Sequence, residues 1–231
     1  MSTSPVGALL VSLQLTDSAF PSGFYTLSHG LEGYVQDRAI EPHTMPVLLH
    51  DLLRHSIGPS DATALALAHR AALAGDWERV IGVDRRLLAT KLNREIRVAA
   101  LRTGHQLLET AGAALGSVVL EKYAELVAAK RAPGLQAVAA AVTYAGAGIP
   151  ADQAVASDLF AFAASFTGAA LRLRLTDHRH AQVVLRAAAP VIEEVTTAAL
   201  TRGLADLGGC TPMADAMSGL HERAEARLFT S

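Results

Sequence analysis

One cysteine, Cys210, stands in the 231 residues. It excludes an internal disulfide and fits a reducing compartment. Aromatic residues supply only 5% of the chain and charged residues only 18%, against a hydrophobic share of 51%. The core must therefore be built mainly from Ala, Leu and Val. Such faces bury less area per residue, at roughly 25 cal/mol per Å², but they let helices approach closely. A surface this poor in charge is expected to leave apolar patches for a partner to cover. No Lys or Arg precedes Arg38, so the basic leader of a signal peptide is missing. The net charge of −2 provides no basic field for nucleic acid. The apolar stretches near 137–151 and 159–173 are diluted by Ala, Gly, Ser and Thr, and fall short of the roughly 20 strongly apolar residues of a membrane span. No membrane is expected, and the location read from these features is cytoplasmic.

Catalytic and metal signatures are also scarce. No Gly-rich run ends in Gly-Lys-Ser/Thr, so the loop that surrounds nucleotide phosphates is absent. No Glu-x-x-His pair occurs, which counts against a ferritin-like enzyme. Ser28-His29 lacks a nucleophile elbow, and adjacent residues do not face each other on a helix. Asp177-His178-Arg179-His180 is the densest histidine cluster. On a helix its two imidazoles point about 200° apart and Arg179 repels a cation, so a solvated helix start is the simpler reading. Asp51 and His55 read as a local surface pair, and Glu193-Glu194 as a solvated face. His221 with Glu222 and Glu225 reads as a salt-bridged surface of the last helix. Cys210 reads as a bystander in a turn. No catalytic residue, metal site or cofactor is expected.

What is present is helical period. Met45, Leu48, Leu49, Leu52 and Leu53 follow the three-four spacing of an amphipathic helix. Ala181, Val184, Leu185, Ala188, Val191, Ile192, Val195 and Ala198 extend it over about five turns, with a kink expected near Arg186–Pro190. Glu41-Pro42, Gly58-Pro59-Ser60, Ala132-Pro133-Gly134 and Gly148-Ile149-Pro150 read as turns or boundaries. Leu207-Gly208-Gly209-Cys210 reads as a helix end, followed by a helix capped by Thr211 with Pro212 in its first turn. That last helix is expected to reach about Arg227 and to bury Met213, Met217, Leu220 and Ala224. Small residues at Ala100, Gly104, Leu108 and Gly112, and at Ala161, Ser165 and Ala169, predict close helix contacts. The expectation is one all-α domain over residues 1–231, a bundle of about ten helices.

Two end segments go beyond composition. Leu13-Gln14-Leu15-Thr16-Asp17-Ser18-Ala19-Phe20-Pro21-Ser22-Gly23, then Ser28-His29-Gly30-Leu31-Glu32, and finally Arg227-Leu228-Phe229-Thr230-Ser231, resemble the signature ends of the urease accessory protein UreF family. Asp84, Lys91, Arg94, Glu95, Arg97 and Gly104 resemble its central helix. Arg172 and Gln182 keep the spacing of a further family segment, although Leu175-Thr176-Asp177-His178 departs from its Pro-Leu-Gly-Gln. Leu27 also departs, standing where a polar or aromatic residue is usual.

The resemblance implies an all-α, usually dimeric, non-enzymatic scaffold. Such a protein bridges UreD (also called UreH) and the GTPase UreG so that nickel reaches apo-urease. The residues it implies for partner binding are Pro21, Ser22, Gly23, Ser28, His29, Glu32, Arg97, Arg172, Gln182, His221, Arg227, Leu228, Phe229 and Ser231. Phe229 and Leu228 are expected to be buried anchors of the tail, with Arg227 making a charge-assisted bond beside them. The alternative is a TetR-type ligand-sensing regulator, which needs a basic N-terminal helix-turn-helix.

Overall fold

Alanine sets how closely the elements pack. The computed structural model describes residues 4–21 and 24–229, and every regular element among them is helical. In order they are α1 (Pro5–Thr16), α2 (Leu31–Gln36), α3 (Met45–Asp51), α4 (Thr63–Leu73), α5 (Trp77–Thr90), α6 (Arg94–Leu115), α7 (Val118–Ala128), α8 (Gln136–Gly146), α9 (Ala151–Arg172), α10 (His178–Thr201) and α11 (Pro212–His221). A π-helical segment, Leu52–Ala62, joins α3 to α4 without a break. These elements make ten helical runs, the all-α bundle that the periodicity predicts.

At the centre is α8, buried on every side from Gln136 to Ala145 and packed against α4, α6, α7 and α9. Its alanines make it thin, so neighbouring backbones come near. At Gly104 of α6 an added Cβ would fall 2.0 Å from the Gly134 carbonyl oxygen, whereas Gly112 faces open space. The small-residue face of α6 is therefore used at Gly104 and not at Gly112. Asp84 of α5 holds the entry to α8. Its carboxylate accepts from the Tyr123 hydroxyl (2.6 Å) and from the amides of Gly134 (2.8 Å) and Leu135 (3.2 Å). Burial pushes its pKa up against those bonds.

Helix α9 is 22 residues long and, by length and composition, apolar enough to cross a membrane, contrary to the sequence expectation. More than half of its apolar window is buried, and it packs against α10, α4 and α8 as a core helix. Helix α10 buries Ala181, Val184, Ala188, Val191, Ile192 and Val195 as expected, and runs unbroken through an exposed Pro190. Its start is the solvated cap foreseen for Asp177. That carboxylate accepts from His180 N–H (2.9 Å) and Arg179 N–H (2.8 Å), which hold its pKa below the usual range.

Three sequence readings are corrected. Gly58-Pro59-Ser60 is no boundary but the interior of the π segment. Within the π segment N–H groups bond five residues back, and Cys210 N–H adds a bond to the His55 carbonyl, at 2.9 Å. Gly208 N–H donates to the Pro59 carbonyl (3.0 Å), and the Thr63 hydroxyl to that of Gly58 (2.8 Å). Second, Leu207–Cys210 does not end a helix: α10 stops at Thr201, and after a short turn at Leu204–Asp206 the chain runs alongside the π segment. Third, α11 stops at His221 and buries Ala214, Met217, Ser218 and His221, while Met213 and Leu220 are exposed. Thr211 occupies its N-cap position without a side-chain capping bond.

Candidate interaction site

Both end segments converge on one buried cluster. After the turn Phe24–Thr26, His29 (φ 55°) and Gly30 (φ 84°) reverse the chain through left-handed backbone, a conformation that glycine adopts at little cost. Gly30 is the N-cap of α2, which places Glu32 in its first turn, pointing inward. Gly33 lets α11 lie directly on α2, since a Cβ there would sit 2.4 Å from the Met217 carbonyl oxygen.

That approach brings His221 of α11 between two carboxylates. Its Nε2 is 2.8 Å from Glu32 Oε2 and its Nδ1 is 3.1 Å from Glu95 Oε2 on α6. His221 is fully buried, and Glu32 and Glu95 are nearly so. A neutral imidazole has one N–H and can donate to one carboxylate; the imidazolium donates to both. Arg227 Nη1 donates to Glu95 Oε1 at 3.1 Å. Glu32 also accepts the amides of Leu228 (2.7 Å) and Phe229 (2.9 Å), so one carboxylate clamps the tail by its backbone. Charge-assisted bonds of this kind are roughly twice as strong as neutral ones.

A stacked cation completes the anchor. The Arg172 guanidinium of α9 lies 4.2 Å from the Phe229 ring centroid and 4.1 Å from that of Tyr25. It donates to the Tyr25 and Gly168 carbonyls. Phe229 is buried against this platform, a cation–π arrangement with two ring faces. Gln36 Nε2 donates to the Ala226 carbonyl at 3.0 Å.

Over residues 41–189 the chain matches the family model for UreF. The chain belongs to the UreF family. It is 30% identical to urease accessory protein UreF 2 of Brucella canis over 227 residues, spanning 96% of this chain and 91% of that protein. It is 30% identical to urease accessory protein UreF of Trichodesmium erythraeum over 234 residues, with 100% of both covered. It is 32% identical to that of Paenarthrobacter aurescens over 219 residues, covering 94% and 96%. In this UreF-family chain Glu95 and Arg172 fall inside the matched stretch, while Glu32, His221 and Arg227 reach the cluster from outside it.

Of the residues singled out from the sequence, Glu32, Arg172, His221, Arg227 and Phe229 meet here, and Leu228 joins through its backbone. His221 is not on a salt-bridged surface: the two nearby carboxylates outcompete solvent for its ring. Leu228 is not a buried anchor: its side chain is 64% exposed. Ser28 is fully buried, and Pro21 is exposed. His29 turns away from the cluster to pair through Nε2 with Ser165 Oγ (2.8 Å). Arg97 donates to the Lys91 carbonyl (3.0 Å), and Gln182 is exposed on α10, so neither joins. Ser22, Gly23 and Ser231 lie outside the described residues. Glu95 and Tyr25 belong to the cluster but were not among the site residues; an acid at a buried phase of α6 was the available signal for Glu95. Among the described residues no group of three His, Cys, Asp or Glu side chains is placed to hold a metal.

Proposed function

We propose that this UreF-family chain is a non-catalytic adapter in the cytoplasm that bridges UreD (UreH) and the GTPase UreG for nickel delivery to apo-urease, and that it acts as a dimer. The observation that carries the reading is the anchored tail. Glu32, Glu95, His221 and Arg172 hold the backbone of Leu228 and Phe229 and the Phe229 ring, yet leave the Leu228 side chain 64% exposed. A held apolar side chain on the surface offers a partner apolar area to cover. Helix α1 adds to it: Val6, Leu9, Leu10 and Leu13 are all more than half exposed, and α1 has no acidic residue in its first turn and no basic one in its last. An apolar face of this kind fits protein contact better than solvent. With His221, Glu32, Ser28 and Phe229 buried, their part is to shape the contact surface from within.

Leu228→Asp tests the reading, because the side chain is mostly exposed. The variant should keep its helical circular dichroism and lose about tenfold or more in retention of UreD on an affinity resin. Undiminished retention would remove the tail from the interface.

A further inference from the structure

We propose that the partly open cavity between the Phe24–Gly30 turn, the π segment, α6, α9 and α11 binds a small organic cation with several N–H donors, of the amidinium or guanidinium class. The cavity measures about 160 Å³. Cavities of about 150 Å³ accept a molecule of benzene's size. Phe24, Leu52, Ile96 and Phe162 supply apolar wall, and among the polar groups between them Asp158 has no cation and Ser218 Oγ no partner.

His29 shows this most directly. The Ser165 hydroxyl has one proton and donates it to the Phe24 carbonyl (3.0 Å), so it accepts from His29 Nε2–H (2.8 Å). Burial, aided by Arg172, pushes the His29 pKa down to about 4. The ring is therefore neutral near pH 7 and carries a lone pair on Nδ1. Asp158 of α9 receives Gln136 Nε2–H on Oδ1 (2.8 Å), and no cation pairs with it among the described residues. Burial pushes its carboxyl up to about 7. Asp215 is also raised by burial. Ser218 Oγ of α11 is buried with no partner. The nearby cation, Lys91, is already taken by Asp61 at 2.8 and 3.0 Å.

Asp158 without a cation, Asp215 near Lys91, neutral His29 and the orphaned Ser218 hydroxyl thus line one space. A planar N–H-rich cation supplies what each lacks, and its flat body fits against Phe162 and the His29 ring. Among the described residues no three ligating side chains gather there for a metal ion. The π segment forms part of the wall through Leu52, Ser60 and Asp61, and π distortions are frequent at functional sites. The cavity is separate from the tail anchor, so this proposal stands or falls independently of the adapter role.

Benzamidine and its neutral isostere benzamide separate charge from shape in calorimetric titrations of the full chain near pH 7, run in two buffers of different ionisation enthalpy. Benzamidinium should bind, releasing protons as Asp158 ionises against Asp61, Lys91, Asp215 and neutral His29. Benzamide should bind about tenfold or more weakly. Asp158→Asn keeps the acceptor for Gln136, and should weaken benzamidinium about tenfold while leaving benzamide unchanged. Ala100→Leu, which fills the cavity, should abolish both. The proposal is overturned if the two compounds bind equally, if neither saturates at millimolar concentration, or if a folded Asp158→Asn or Ala100→Leu protein binds benzamidinium as the parent does.

Discussion

His221 sits between Glu32 and Glu95 with both ring nitrogens engaged and no solvent access. Removing it takes a contact from each of two buried carboxylates, and a hydrogen bond to a charged group contributes about 1.5–3 kcal/mol. His221→Leu should therefore lower the urea-unfolding free energy by about 3 kcal/mol or more, although leucine is the more hydrophobic residue; a loss below about 1 kcal/mol would show that Arg227 and the tail amides suffice for the carboxylates. This residue was misplaced from sequence because Met213, Met217 and Leu220 offer a plausible apolar stripe on α11. The structure instead buries Ala214, Met217, Ser218 and His221. What turns the helix is an acid 189 positions earlier and the close approach at Gly33, neither of which a helical pattern within α11 records.

At the scale of elements, the helical run from α3 through the π segment to α4 depends on a strand of chain far from it. Cys210 N–H donates to the His55 carbonyl and Gly208 N–H to that of Pro59. Gly209 makes that approach possible, since a Cβ there would fall 2.6 Å from His55 O and 2.7 Å from Ser56 O. Gly209→Ala should cost about 2 kcal/mol or more through overpacking against backbone that cannot give way. Chemical denaturation would measure it, and amide exchange should quicken first at Cys210. A near-neutral effect would mean that the Gly208–Cys210 segment is not needed by the π segment. The sequence rule that proline ends a helix is sound locally. It fails here because Pro59 lies inside a π segment whose carbonyls also receive distant N–H groups. Helix α10 is the contrary case: its stripe from Ala181 to Val195 was legible because one face of one long helix meets α9, and that is a pattern written within the helix itself.

For the molecule as a whole, two buried groups oppose each other in the dependence of stability on pH. Asp158 titrates at about 7 in the fold against an ordinary value of 3.8, because burial disfavours its carboxylate. Between those values the folded chain holds a proton that the unfolded chain has released, so stability falls as pH rises, and the contribution is gone above about 7. His29 titrates at about 4 against 6.5, because burial disfavours its cation. There the unfolded chain holds the extra proton, and stability rises with pH across that window. The two offset one another up to about pH 6.5, and Asp158 alone acts beyond it. Asp158→Asn should gain on the parent protein by a few kcal/mol between about pH 5 and about pH 8, read from urea unfolding at each pH. Parallel profiles for the two proteins would show that the Asp158 carboxyl is not held protonated by the fold.

By itself the sequence determined the helical class, the apolar stripes of α3 and α10, the solvated cap at Asp177, and membership of the UreF family through its two ends. Those features depend on residues a few positions apart, where helical period and capping act. Tertiary structure alone decided which polar residues turned inward: Glu32, Glu95 and His221 around the tail, and Asp158 and His29 around the cavity. A buried charge is tolerated where a partner meets it, and around the tail the partners come from opposite ends of the chain.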